Sequence, residues 1–131
     1  MQIKRPVARV LVVDDQVEVV EILIHILRKK TPYEIVTTTD PIEALDRVKS
    51  TRFDIVLSDV TMPGMRGPEL VSHIQVASPT TRIILMSGEG PPQVPPSVKI
   101  FGFLQKPITS DELLETLDQA VADLHASPES A

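Results

Sequence analysis

Short apolar runs alternate with helical patterns along nearly the whole chain. The first run, over residues 7–13 (VARVLVV), is rich in valine and suits a strand buried on both faces. Val19, Ile22, Leu23, Ile26 and Leu27 then recur at helical spacing, which predicts one apolar stripe on a helix that ends before Pro32. Residues 33–38 (YEIVTT) are strand-like, with β-branched side chains in a row. Asp40, Pro41 and Glu43 supply an N-cap, a first-turn proline and an acid at the third helical position. With Ala44, Leu45 and Val48 behind them they announce a second helix. A third strand over 55–57 runs into Ser58 and Asp59, the stretch TMPGMRGP reads as a turn-rich loop, and residues 69–76 form a third helix around Leu70, Val71 and Ile74. Residues 82–86 make a fourth strand.

The alternation then fails. Residues 88–97, GEGPPQVPPS, hold four prolines and two glycines where the rhythm asks for a helix. An interior proline costs a helix roughly 3 kcal/mol, so the fourth helix is expected to be short or missing. A single turn starting at Pro95 or Pro96 is compatible with it, because a first-turn proline costs little. Residues 102–105 (GFLQ) read as a short fifth strand. Thr109 and Glu112 have the spacing of a capping box, and Leu113, Leu117, Ala120, Val121 and Leu124 give the last helix its buried stripe. Five strands alternating with helices predict an α/β fold, a doubly wound five-stranded parallel sheet. The expectation is one domain over 1–125 and a flexible C-terminal tail over 126–131 that includes SPESA.

Composition narrows the function. A chain of 131 residues has room for one ordinary domain with a real core. It has no cysteine, which excludes disulfide scaffolds, thiolate metal sites and thiol catalysis. Its net charge of −5 argues against direct nucleic acid binding and against anionic membranes. The small basic cluster Arg28, Lys29 and Lys30 falls at a predicted helix end, where cations complement the helix dipole. No apolar run approaches the length of a membrane span and the start lacks the apolar core of a signal peptide, so no membrane insertion and a cytoplasmic location are expected. His25, His73 and His125 lie on predicted helices without ligand spacing, and Met62 and Met65 are expected simply to pack.

Ligands of open α/β sheets bind beyond the carboxyl ends of the strands. The polar residues there are Asp14 and Asp15 after the first strand, Asp59 at the third, Ser87 after the fourth and Lys106 after the fifth. If the strand order is 2-1-3-4-5, the first and third strands are neighbours and the three carboxylates share one crevice. An aspartate after a strand is commonly only a turn residue or a helix cap. Three of them converging raise one another's pKa unless a cation holds them, and a small hard divalent ion such as Mg²⁺ is the natural partner. A lysine and a hydroxyl nearby supply what a phosphoryl group needs, and a carboxylate can accept one covalently.

On these residues the chain resembles the receiver domains of two-component response regulators. The resemblance is carried by LVVDD ending at Asp15, DIVLSD ending at Asp59 and followed by VTMPGMRG, LMSG around Ser87, and GFLQKP around Lys106. It covers roughly residues 8–124, and its specificity lies in several motifs in the right order at strand ends. It implies the flavodoxin-like order 2-1-3-4-5. It further implies Asp59 as phosphoacceptor, Asp15 as a direct Mg²⁺ ligand, Asp14 acting largely through bound water, and the backbone carbonyl of Thr61 as the third protein ligand. Ser87 and Lys106 then meet the phosphoryl oxygens, Pro107 follows a cis peptide bond, and Phe103 is the aromatic whose rotamer reports phosphorylation. The implied donor is a phosphohistidine on a histidine kinase or phosphotransfer domain, the reader is an unknown downstream protein, and the only activity is autocatalysed transfer with slow autodephosphorylation.

The proline-rich segment departs from the family pattern, in which the fourth helix, fifth strand and last helix form a face commonly used for dimerisation and signalling. The few residues after the last helix fit either a single-domain regulator acting by contact or a piece of a longer protein such as a hybrid kinase. The alternative function is a binding-only module of the same fold that regulates by contact without phosphorylation, which the intact acid and lysine set argues against. An aspartyl-phosphate hydrolase typically carries a second acid two residues after its nucleophile, where this chain has Thr61. A nucleotide or flavin carrier lacks its glycine-rich loop here.

Overall fold

The computed structural model describes residues 8–126. Nine elements follow one another: β1 (Arg9–Val13), α1 (Val17–Lys30), β2 (Glu34–Thr38), α2 (Pro41–Ser50), β3 (Ile55–Asp59), α3 (Gly67–Ala77), β4 (Arg82–Ser87), β5 (Gly102–Gln105) and α4 (Ser110–Ala126). The strands form one parallel sheet in the order β2-β1-β3-β4-β5, the predicted topology. Val7, included in the predicted first strand, and residues 127–131 of the predicted tail lie outside the described residues.

The strands are apolar on both faces because helices cover both. On one side Val10, Val12, Ile55, Leu57, Ile84 and Met86 are buried under α1 and α4, and on the other Leu11, Val13, Val56, Ile83 and Leu85 are buried under α2 and α3. Each fully buried leucine or isoleucine stabilises this arrangement by about 1.5–3 kcal/mol. The register sets Asp59 beside Met86 and Ser87 beside Gln105, so the carboxyl ends of the central strands finish at one level.

Caps fix the helix ends that matter for the site. Asp40 accepts from the Ile42 N–H at 2.9 Å with Pro41 in the first turn, as the sequence predicts. Thr109 accepts from the Glu112 N–H at 3.1 Å, which starts α4 just beyond the Lys106–Pro107 cis peptide. In α1 the predicted stripe needs correction at one position. Ile22 is 62% exposed and Val20 is buried with Leu23 and Leu27, because the helix turns the neighbouring line of residues toward the sheet.

Among the described residues no helix joins β4 to β5. The proline-rich segment crosses as an irregular strap with one turn, in which the Val98 N–H donates to the Pro95 carbonyl at 2.9 Å. Val94, Val98 and Ile100 rest on the α2/α3 side of the core. The Gln75 side chain of α3 fastens the strap at two points, donating to the Ser97 carbonyl at 2.7 Å and accepting from the Lys99 N–H at 2.8 Å.

Candidate functional site

The site forms where β1, β3, β4 and β5 end. Asp14 and Asp15 follow β1, Asp59 closes β3, Ser87 closes β4, and Lys106 follows β5. Each of Asp14, Asp15 and Asp59 offers a carboxylate oxygen within 4.8 Å of the others. The backbone holds this end together beyond the strands themselves: the Val60 N–H donates to the Met86 carbonyl, and the Lys106 N–H to the Ser87 carbonyl, both at 2.9 Å.

Asp14 is fully buried and uses both oxygens, accepting from the Gln16 N–H at 3.0 Å and from the Lys106 ammonium at 2.8 Å. The N-cap of α1 is Gln16, whose own side chain makes no cap bond; Asp14 meets its backbone N–H with one oxygen and keeps the other for Lys106. Lys106 also lies 3.4 Å from Asp59, whose Oδ1 accepts from the Val60 N–H at 2.9 Å. Burial and then the Asp14 charge push the Asp59 carboxyl above its ordinary range, with Lys106 and the Val60 N–H opposing. Burial works to lower the Lys106 ammonium, but its bonds and charges toward Asp14 and Asp59 outweigh that and leave it raised. Three carboxylates thus crowd around one bound ammonium, an arrangement short of positive charge and made of hard oxygen donors. Such a donor set fits a small divalent cation.

Ser87 is buried and its hydroxyl accepts from the Glu89 N–H at 3.0 Å. Its own O–H has no acceptor among the described residues and is free to donate. Thr61 is exposed in the loop after β3 and lines the cavity on the Ser87 side. Phe103 stands apart from this cluster. It is half-buried on β5, opposite Leu85 in register, on the α2/α3 side of the sheet that the strap also covers. His25, His73 and His125 are all exposed, and Met62 and Met65 pack against the core, as expected from the sequence.

Two cavities flank the site. One of about 440 Å³ is lined by Val19, Ile22, Leu23, Lys106, Pro107 and Ile108, so exposed Ile22 borders an apolar groove that reaches the lysine. The other, of about 530 Å³, lies on the Ser87 side and includes Thr61, Arg66, Glu69 and Glu89 in its wall. Sequence reasoning passed over Arg66 and Glu89, because a charge in a loop carries no periodic signal; their only hint is that each follows closely on a strand that ends in the site.

Comparison with known proteins gives a consistent picture. The family model for the response regulator receiver domain matches residues 10–118. The chain is 31% identical over 112 residues to sporulation initiation phosphotransferase F of Bacillus subtilis, covering 83% of this chain and 90% of that protein. It is 34% identical over 115 residues to the phosphoglycerate transport system transcriptional regulatory protein PgtA of Salmonella typhimurium, covering 86% of this chain and only 28% of that one. The chain spans about a quarter of the length of that regulator and of the transcriptional regulatory protein GlrR of Escherichia coli. Among solved structures, chemotaxis protein CheY4 of Vibrio cholerae superposes with a TM-score of 0.79 at 36% identity, over 86% of this chain and 98% of that one. The signal receiver domain of an HD domain-containing protein from Pseudomonas fluorescens Pf-5 gives 0.82 at 29% identity, over 100% and 98%.

Proposed function

The chain belongs to the response regulator receiver domain family, and from that premise we propose that it is a phosphoacceptor module of a two-component phosphorelay with Asp59 as the acceptor. The observation that carries this reading is the meeting of Asp14, Asp15 and Asp59 within 4.8 Å, with the Lys106 ammonium 3.4 Å from Asp59. A Mg²⁺ ion would be held by Asp15, Asp59 and the Thr61 carbonyl, with Asp14 acting largely through bound water, and would supply charge neutralisation for the phosphoryl oxygens.

The remaining roles follow from what each side chain already does. An Asp59 carboxylate oxygen attacks the phosphorus of a phosphohistidine. The new O–P bond forms as the N–P bond breaks, and its electron pair leaves on the imidazole nitrogen. Lys106, which bridges Asp14 and Asp59, turns to the phosphoryl oxygens as they arrive. Ser87 has a free O–H to donate to another of them. The protein donor is a histidine kinase or a phosphotransfer domain. Phe103 and the strap above it form the element read by the downstream protein. The absence of cysteine accords with work in the cytoplasm.

Intact-mass spectrometry after incubation with acetyl phosphate tests the proposal. The expected result is a Mg²⁺-dependent, base-labile gain of one phosphoryl group that disappears in Asp59→Asn. A gain that persists in that variant assigns the acceptor to another residue. A folded wild-type protein that neither binds Mg²⁺ nor gains mass, with acetyl phosphate or a phosphorylated kinase, overturns the reading.

A further inference from the structure

The cavity on the Ser87 side has one cationic side chain in its wall, Arg66, and shares that wall with Ser87 and Thr61. Two features bear on Arg66, one of position and one of charge. The first is the packing of its neighbour. An ideal Cβ on Gly67 meets the Val60 Cα at 2.7 Å and the Asp59 carbonyl oxygen at 3.0 Å, so the first residue of α3 sits directly on the backbone of the acceptor strand. The Gly67 N–H donates to the Val60 carbonyl at 2.7 Å and locks that contact. Arg66 therefore directly precedes the residue packed on that backbone, with its own side chain exposed.

The second feature is charge. Lys106 is already committed to Asp14 and Asp59, and Arg9, Arg47, Arg52 and Arg82 pair with carboxylates elsewhere. Arg66 has no ion pair among the described residues. Three carboxylates against one ammonium leave two negative charges for a divalent cation to cancel, and phosphorylating Asp59 adds about one more. Glu69 and Glu89 share the cavity wall, so without Arg66 that side would oppose the incoming anion.

We propose that Arg66 is a second phosphoryl-contacting cation, pairing with a phosphoryl oxygen on Asp59 from this cavity while Lys106 pairs from the other side of the site. The planar guanidinium offers two parallel donors, a geometry that suits a phosphoryl group. This inference rests on the phosphoacceptor reading and adds to it a residue outside the acid and lysine set.

Beryllofluoride, which coordinates an aspartate oxygen as a non-covalent phosphoryl mimic, separates the two. Its affinity is measured by calorimetry or fluorine NMR at saturating Mg²⁺ for wild type, Arg66→Gln, Arg66→Lys and Glu69→Gln. A charge-assisted contact from an exposed side chain predicts that Arg66→Gln weakens binding roughly two- to fivefold. Arg66→Lys should recover part of the loss, Glu69→Gln should bind at least as tightly as wild type, and the wild-type advantage should shrink as salt rises. Mg²⁺ affinity without beryllofluoride should be unchanged. Equal beryllofluoride affinity in wild type and Arg66→Gln overturns the inference, and so does a parallel loss of Mg²⁺ affinity, which would mean that Arg66 only shapes the loop. Failure of the underlying reading looks different: the wild type itself takes neither beryllofluoride nor a phosphoryl group at Asp59.

Discussion

Gly67 and Gly88 both stand within a residue or two of the site, and their surroundings are opposite. A side chain at Gly67 would drive into the backbone of Val60 and Asp59, where nothing flexible can give way, whereas a Cβ at Gly88 meets no atom within 4 Å. Backbone must shift to admit Gly67→Ala, and overpacking of this kind costs about 1–3 kcal/mol. Gly88→Ala should stay within about 0.5 kcal/mol of wild type. Thermal melting of the two variants checks the contrast. The same shift lifts the start of α3 off the acceptor strand, so Gly67→Ala should also slow labelling of Asp59 by acetyl phosphate. At this scale the sequence says little: both glycines fall in turn-rich stretches of the sequence, and only the packing, with Gly67 opening α3 and Gly88 in a loop, tells which one is irreplaceable.

Among the elements, the strap between β4 and β5 shows how far local chemistry can be followed. Its prolines forbid a full helix, and counting them anticipates both the missing helix and the single turn at Pro95. What fastens the strap was not legible, because the fastening residue is on α3, more than twenty positions away, and a glutamine on a helix face looks like any solvated polar residue. Gln75 replaces the ladder or helix bonds that this stretch lacks. Gln75→Ala should therefore speed hydrogen exchange of the Lys99 amide markedly while lowering global stability by only about 1 kcal/mol, since net hydrogen bonds in partly exposed positions contribute little. An unchanged Lys99 exchange rate would show that Val94, Val98 and Ile100 hold the strap unaided. Helix α1 carries a similar lesson. Periodicity predicts its apolar stripe, but which of two adjacent lines faces inward depends on where the helix lies over the sheet, hence the exchange of Ile22 for Val20.

For the whole molecule, the parallel sheet both made the acid and lysine set legible and determines its energetics. Strand ends in such a sheet finish at one level, so residues as distant as Asp14 and Lys106 could be placed together from strand order alone. Folding therefore forces three carboxylates together, and the fold bears the cost when no divalent ion is present. Asp59 has its carboxyl raised by burial and by Asp14, so the folded state binds that proton more tightly than the unfolded chain does. Its ionised form consequently destabilises the fold in full above the raised folded pKa, and the penalty disappears below the ordinary value of 3.8. In chelator at neutral pH, Asp59→Asn should thus melt higher than wild type, with the gap closing as pH falls toward 3.8. Mg²⁺ should reverse the order at neutral pH, because binding to the folded state stabilises wild type in proportion to the logarithm of its concentration above Kd, and the variant has lost a ligand. The Mg²⁺ increment should itself fade on acidification as Asp59 takes up its proton. Melting curves of the two proteins with chelator and with Mg²⁺, at neutral and acidic pH, decide the matter: a wild type that melts above Asp59→Asn in chelator at neutral pH would show that Lys106 outweighs the crowding of the three acids.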